Sequence, residues 1–328
     1  NSSDTSTLST PSSSVLDCSA HTATAIMRRW SDADEKGLEA IRFRLKDELN
    51  TIDQHPDTIG DRKLLRFLKG HNYDLDVACD FISKYILWRK DNNIDSIRHD
   101  ILKGGCDHPS KFPHGHKVLR LVPQIVIDHD IRDKFDCPIV FEQYNFRPAE
   151  VLAEISLEEY VEFIKYSLEF RSLILEQLSE EQERQKYESL VSRRNSGEDV
   201  SGEEPYGTLC YVCIIRDLDG VGFDHLGTQG QEIIKAVIGI ATPNYPELMR
   251  KCHLINAPWL FNTVWWMIKG WLATKTIEKI GVLGSSFLDY LKADIAVENI
   301  PAAVGGEHAR PTVAFPFDLS EGGMLHSP

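Results

Sequence analysis

Through the first third of the chain, apolar residues recur every three to four positions. In EKGLEAIRFRLKDEL, Leu38, Ile41, Leu45 and Leu49 fall on one side of a helix. DRKLLRFLKGH predicts a short helix with Asp61 near its start. DLDVACDFISKYILWRKDN predicts a longer one with Val77, Phe81, Tyr85 and Trp88 on one face. Residues 33–105 therefore read as an all-helical unit. The period then changes. KVLRLV and CPIVFEQY are short β-rich runs that predict strands, and a long amphipathic helix follows over roughly 156–182. Farther on, TLCYVCII, CHLINA and EKIGVLG predict strands, while QGQEIIKAVIGIA, 259–272 and SFLDYLKADI predict helices. This alternation implies a parallel or mixed sheet with helices on its faces, an α/β domain over 106–310.

Three stretches lack either period. Residues 1–32 are rich in Ser and Thr and read as disordered. Residues 183–206 are charged and contain Gly, which predicts a flexible acidic surface insertion. Residues 311–328 form a C-terminal tail.

Composition adds exclusions. With 42% hydrophobic residues in 328, the chain can bury a sizeable core. Its net charge of -14 argues against nucleic acid as a partner and against a purely electrostatic grip on membranes. The most apolar window, APWLFNTVWWMIKGWLAT, is interrupted by Asn262, Lys269 and Gly270 and does not read as a membrane span. Residues 1–24 lack the apolar run of a signal peptide. Seven cysteines without framework spacing fit free thiols, so a cytoplasmic location is expected.

Catalytic motifs are missing. There is no G-x-S-x-G, P-loop, G-x-G-x-x-G or H-E-x-x-H. LGSS, residues 283–286, is the nearest nucleophile candidate and lacks a recognisable base. Cys210 and Cys213 sit three apart in a predicted strand, on opposite faces, and read as buried structural thiols. Cys106, His108, His114 and His116 are metal-ligand types, but their spacing fits no common zinc module, and no metal or cofactor is expected. Ser196, in RRNS, is a candidate phosphosite for a basophilic kinase.

TVWWMIKGWL holds three of the six tryptophans. On a helix, Phe261, Val264, Trp265, Ile268 and Leu272 share one side, while Trp266 faces outward with Asn262 and Lys269. An outward Trp suits a membrane interface, its ring being apolar and its N–H polar.

NYPELMRKCHLINAPWLFNTVWWMIKGWL, TIEKIGVLG and ENIPAAVGG closely resemble the CRAL-TRIO lipid-binding domain, in particular the Sec-fourteen-like phosphatidylinositol transfer proteins. KLLRFLKGHNYDLDVACDFISKYILWRKDN resembles that family's helical N-terminal unit. The resemblance implies an apolar lipid cavity floored by the sheet and closed by a mobile gate helix at the Trp-rich segment. It implies a phosphatidylinositol headgroup site at Arg66, Glu247, Thr276 and Lys279, where Glu247 pairs with Lys279 and the cations meet phosphate. The hydroxyl-bearing cavity residues of members that carry phosphatidylcholine correspond to Val126, Val140, Val212 and Ile214, so weak phosphatidylcholine binding is expected, with room for an apolar second ligand such as a sterol or isoprenoid. The implied protein is a non-enzymatic, monomeric lipid carrier. It touches membranes transiently, Golgi or endosomal ones by resemblance, and presents phosphatidylinositol to a lipid kinase. The alternatives are a carrier of squalene, tocopherol or a retinoid, a lipid-sensing scaffold docking through 183–206, and, more remotely, a lipid hydrolase.

Overall fold

The computed structural model describes residues 27–122, 124–126, 131–144, 146–200 and 202–309. The segment 1–26 and the tail 311–328 lie outside the described residues.

Six helices build the N-terminal unit: α1 (Asp32–Arg44), α2 (Lys46–Leu49), α3 (Pro56–Ile59), α4 (Asp61–Gly70), α5 (Leu75–Asp91) and α6 (Ile94–Leu102). Local chemistry sets their starts. The Ser31 side chain accepts from the Asp34 N–H at the head of α1, and Asp74 accepts from the Val77 N–H at the head of α5. Leu38, Ile41, Leu45 and Leu49 are buried together as the spacing predicts. On α5 the buried stripe is Ala78, Ile82, Tyr85, Ile86 and Arg89, and Val77 is exposed. The predicted face is therefore rotated by about one position. Residues 27–31 are not part of a disordered segment either. Trp30 is buried in this core, and the Gly207 N–H donates to the Arg29 carbonyl at 2.7 Å. A Cβ on Gly207 would lie 2.3 Å from that carbonyl oxygen, so only glycine permits the approach.

The second unit continues with α7 (Gly115–Leu121), β1 (Gln124–Val126), β2 (Ile139–Gln143), α8 (Pro148–Glu154), α9 (Leu157–Asn195), β3 (Val212–Asp217), α10 (Thr228–Asn244), β4 (Met249–Ile255), α11 (Phe261–Lys269), α12 (Thr274–Glu278), β5 (Ile280–Val282) and α13 (Leu288–Asp294). KVLRLV is thus the helix α7, not a strand. Val118, Leu119 and Val122 point inward at helical spacing, a pattern too short to separate from a strand by period alone. The predicted insertion at 183–206 is corrected too, because α9 runs unbroken to Asn195. It starts from a capping box in which Ser156 and Glu159 bond reciprocally. Its polar end is laced by Arg184 to Glu181 and Glu188, with Leu190 and Val200 buried beside it.

The sheet runs in the order β1-β2-β3-β4-β5. The first pair is antiparallel and the rest are parallel. Its two faces are both covered. Val140, Val212, Ile214, Cys252 and Leu254 face α9, α10 and α11, while Ile139, Phe141, Cys213, Ile215 and Ile255 face α13. Cys210 and Cys213 fall into these two separate cores, as their spacing predicts.

Helix α4 is one of the elements that bind the two units. Every residue of α4 from Arg62 to Leu68 is buried. Its leucines and Phe67 join the N-terminal core. Its cations point the other way: Arg62 donates to Glu176 at 2.6 Å and Glu183 at 2.7 Å, Lys63 to the Asn244 carbonyl at 3.3 Å, and Arg66 to the Cys210 carbonyl at 2.7 Å. Burial pushes the Lys63 ammonium down to about 7, against the pull of Glu169. Between pH 7 and the ordinary lysine range the unfolded chain holds this proton and the folded chain does not, so folding stability should rise with pH across that window. Lys63→Met removes the titration and loses the Asn244 bond and the Tyr85 and Tyr245 ring contacts at 4.7 Å. The net expectation is a gain of roughly 1–2 kcal/mol at pH 7 and a flatter pH dependence, read by urea unfolding at pH 7 and 9.5.

Candidate functional site

The segment α11–α12 is the crossover between the parallel strands β4 and β5. It leaves the sheet at the C-terminal end of β4, crosses the inner face and re-enters beside the N-terminal end of β4. Phe261 and Val264 are buried against the inner core, and Trp265, Ile268 and Leu272 are half-buried. Asn262 and Lys269 are exposed, and Trp266 is 80% exposed. The helix therefore has the two faces its spacing predicts. Trp259, just before it, is also 80% exposed, a partner for Trp266 that reading the helix alone missed. Trp271 meets Lys235 of α10, with Nζ 4.9 Å from the ring centre.

Val140, Val212 and Ile214 lie on the predicted face, but they are buried. Val126 pairs in register with Val140, and its side chain lies outside the described residues. Accessible apolar surface lies nearer the sheet edge, at Met249, Ile280 and Val282, and across from it at Val237 and Ile240 of α10. These half-buried residues are the candidate walls of an apolar cleft between the β4–β5 edge, α10 and α11. A separate cavity of about 440 Å³, lined by Cys137, Tyr211 and Arg250, contains none of them.

At the end of this cleft where α12 meets β4, charged groups converge. Glu247 adopts a left-handed backbone, φ 54°, which turns its carboxylate and its carbonyl toward different partners. The carboxylate accepts from Lys279 Nζ at 2.7 Å and lies 3.5 Å from Lys275 Nζ. The carbonyl accepts from Arg66. Tyr211 sits between the cations, its ring centre 5.4 Å from the Arg66 guanidinium and 5.9 Å from Lys279 Nζ. Thr276 lies one turn from Lys279, whose N–H donates to the Thr276 carbonyl at 3.2 Å. So Arg66, Glu247 and Lys279 meet, with Thr276 adjacent. Arg66 is more deeply placed than a phosphate ligand needs to be, its guanidinium spent on two backbone carbonyls. Burial lowers its pKa despite Tyr211 and Glu176. Lys275 and Tyr211 were missed. Lys275 stands four residues before Lys279, a helical neighbour visible in TKTIEK.

Other predicted residues do not assemble. His114 pairs with Glu159 and Glu162, and His108 with Ser110. Among the described residues no three His, Cys, Asp or Glu side chains group as metal ligands. Ser196 ends α9, its hydroxyl donating to the Arg193 carbonyl at 2.7 Å. Ser285 and Ser286 are exposed. Among the described residues no helix is long and apolar enough to cross a membrane.

The CRAL/TRIO domain family matches residues 157–306. Over those residues the chain is similar to a CRAL/TRIO domain. The match begins at the head of α9 and takes in the sheet from β3 to β5, the crossover helix, and Glu247, Lys275, Thr276 and Lys279 of the cluster, but not Arg66. The Sec14 cytosolic factor of Schizosaccharomyces pombe is 27% identical to this chain, covering 83% of this chain and 82% of that protein. The SEC14 cytosolic factor of Eremothecium gossypii is also 27% identical, covering 88% and 82%. The phosphatidylinositol/phosphatidylcholine transfer protein SFH9 of Arabidopsis thaliana is 25% identical over 84% of this chain and 41% of its own length. A crystal structure of Sfh5 superposes with a TM-score of 0.52 at 15% identity, covering 78% of this chain and 82% of that one, which supports the CRAL/TRIO fold.

Proposed function

We propose that this protein binds phosphatidylinositol and exchanges it between membranes, without catalysis, and so presents it to lipid kinases. The observation that carries the reading is the convergence of Lys275, Lys279 and Glu247 beside half-buried apolar residues of β4, β5, α10 and the amphipathic helix α11. Lysines at the rim suit a phosphate, and the Glu247 carboxylate and Thr276 hydroxyl suit inositol hydroxyls. Burying acyl chains gains roughly 0.8 kcal/mol per methylene, about what the bilayer itself offers, so extraction is nearly neutral and the helix needs only to open and close. The names of the relatives, transfer proteins and cytosolic factors, accord with a carrier rather than a hydrolase.

Phosphatidylcholine should be carried poorly, because Val212 and Ile214 offer its headgroup no hydrogen bonds on the inner face. An apolar second ligand such as a sterol or isoprenoid would share that face with Arg171, Glu142 and Arg216, which disfavour an uncharged occupant there.

The test is transfer of labelled phosphatidylinositol between vesicles, with identification of co-purifying lipid by mass spectrometry. Rapid transfer and bound phosphatidylinositol are the expected results. Bound phosphatidylcholine in excess, or no transfer, would contradict the reading. Trp259 and Trp266 are the proposed membrane contacts. The double change to Ala should cut vesicle co-sedimentation by about fivefold or more, as two interfacial aromatics are lost, while leaving the thermal midpoint in place.

A further inference from the structure

The inner face of the sheet carries charge where a hydrocarbon floor is expected. Glu142 on β2 lies on the same side as Val140, and Arg216 on β3 on the same side as Ile214. The two are register partners. Arg216 Nε donates to Glu142 Oε2 at 2.9 Å, and Arg171 reaches down from α9 to Glu142 Oε1 at 3.4 Å, a long bond. The Arg216 guanidinium stands 4.6 Å from the ring centre of Tyr144. Burial opposes ionisation of Glu142, but Arg216 and Arg171 outweigh it and hold its carboxyl below the ordinary range. The cluster is therefore two guanidiniums and one carboxylate, with one positive charge unbalanced.

Two further observations show that this charge is available. Arg171 Nε is buried and has no hydrogen-bond partner among the described residues. Arg216 lies on a central strand between β2 and β4, yet 29% of its side chain remains accessible. A side chain in the middle of a covered sheet keeps that much surface only where space opens above it. The site is also distinct from the Glu247–Lys279 group. Five residues separate Tyr211 from Arg216, roughly 17 Å along an extended chain. Half-buried apolar residues, Val237, Ile240, Ile268 and Val282, pack onto the same inner core.

We propose that this second site takes the carboxylate of a long-chain monocarboxylic acid, whose hydrocarbon tail lies along the apolar cleft. A single negative charge balances the cluster, and a planar carboxylate matches the fork of Arg171, which has a donor to spare. A choline head would instead bring a cation against two guanidiniums. The inference rests on the lipid-carrier reading above.

The experiment compares oleic acid, its methyl ester and dioleoylphosphatidylcholine on the delipidated full-length chain, by displacement of a fluorescent fatty acid. Oleate is expected to bind at least tenfold more tightly than either other ligand. Arg171→Gln, which leaves the Arg216–Glu142 pair intact, should lower oleate affinity about tenfold and leave the ester unchanged. Phosphatidylinositol transfer and the thermal midpoint of the variant should stay at wild-type values. Equal binding of acid and ester, tighter binding of phosphatidylcholine, or an Arg171→Gln variant that keeps full oleate affinity each overturns the proposal. If phosphatidylinositol transfer persists in any of those cases, the carrier reading survives and only the second site falls.

Discussion

Charge reversal at Lys279 is expected to lower phosphatidylinositol transfer by tenfold or more. Lys279 Nζ lies 2.7 Å from Glu247, with Lys275 on the other carboxylate oxygen. A glutamate there would set two carboxylates against each other and remove one cation from the proposed phosphate site. Charge-assisted hydrogen bonds contribute about 1.5–3 kcal/mol each, which is roughly 10- to 100-fold in affinity. Stability should fall as well, because the Lys279 side chain is only 20% accessible and that of Glu247 10%, so the thermal midpoint is read beside transfer. Vesicle transfer assays with phosphatidylinositol check this. A carrier of a purely hydrocarbon ligand would be indifferent, so unchanged transfer would favour that alternative.

The largest stability effect is expected at Glu169. This residue of α9 is buried, and it accepts from Arg89 of α5 through both oxygens, at 2.9 and 3.1 Å, and from the Tyr245 hydroxyl at 2.8 Å. Burial disfavours the charged Arg89, but Glu169 outweighs it and raises the arginine's pKa. Glu169→Ala strands a buried guanidinium with only Asp95 as a charged partner. The expected loss is about 3–5 kcal/mol, measured by urea unfolding. Replacing both partners, Arg89→Met with Glu169→Leu, should cost less than the single change, because no unpaired charge is left behind. A double variant as unstable as Glu169→Ala would show that packing, not the orphaned charge, sets the effect.

Much of the architecture could be read from spacing. The stripe of Leu38, Ile41, Leu45 and Leu49 and the two faces of α11 emerged directly from periodicity. What failed did so for physical reasons. KVLRLV is too short for its period to separate a strand from a helix. The end of α9 has no apolar stripe, so it was read as an insertion, although its charges pair along the helix and Leu190 anchors it. At the rim, Glu247 and Lys279 were found through family resemblance and then through their contact. Arg66 meets Glu247, but its guanidinium is held by carbonyls, a detail that depends on how α4 docks. The Arg171–Glu142–Arg216 cluster was not visible, because it requires the register of two strands and the rotation of a helix at once. Its trace in the sequence is the lone arginine inside the buried run CIIRDL.

The way α4 is buried on all sides has a practical consequence for protein engineering. The boundary near residue 105 divides the text of the chain, but not its mechanics. A shortened version that begins at the sheet would leave Glu176, Glu183 and the Cys210 carbonyl without Arg62 and Arg66. Grafting a relative's head onto this body would likewise have to preserve those pairings. The N-terminal helices are thus the mould in which the far wall of the carrier is cast, and the two halves have to be handled as one piece.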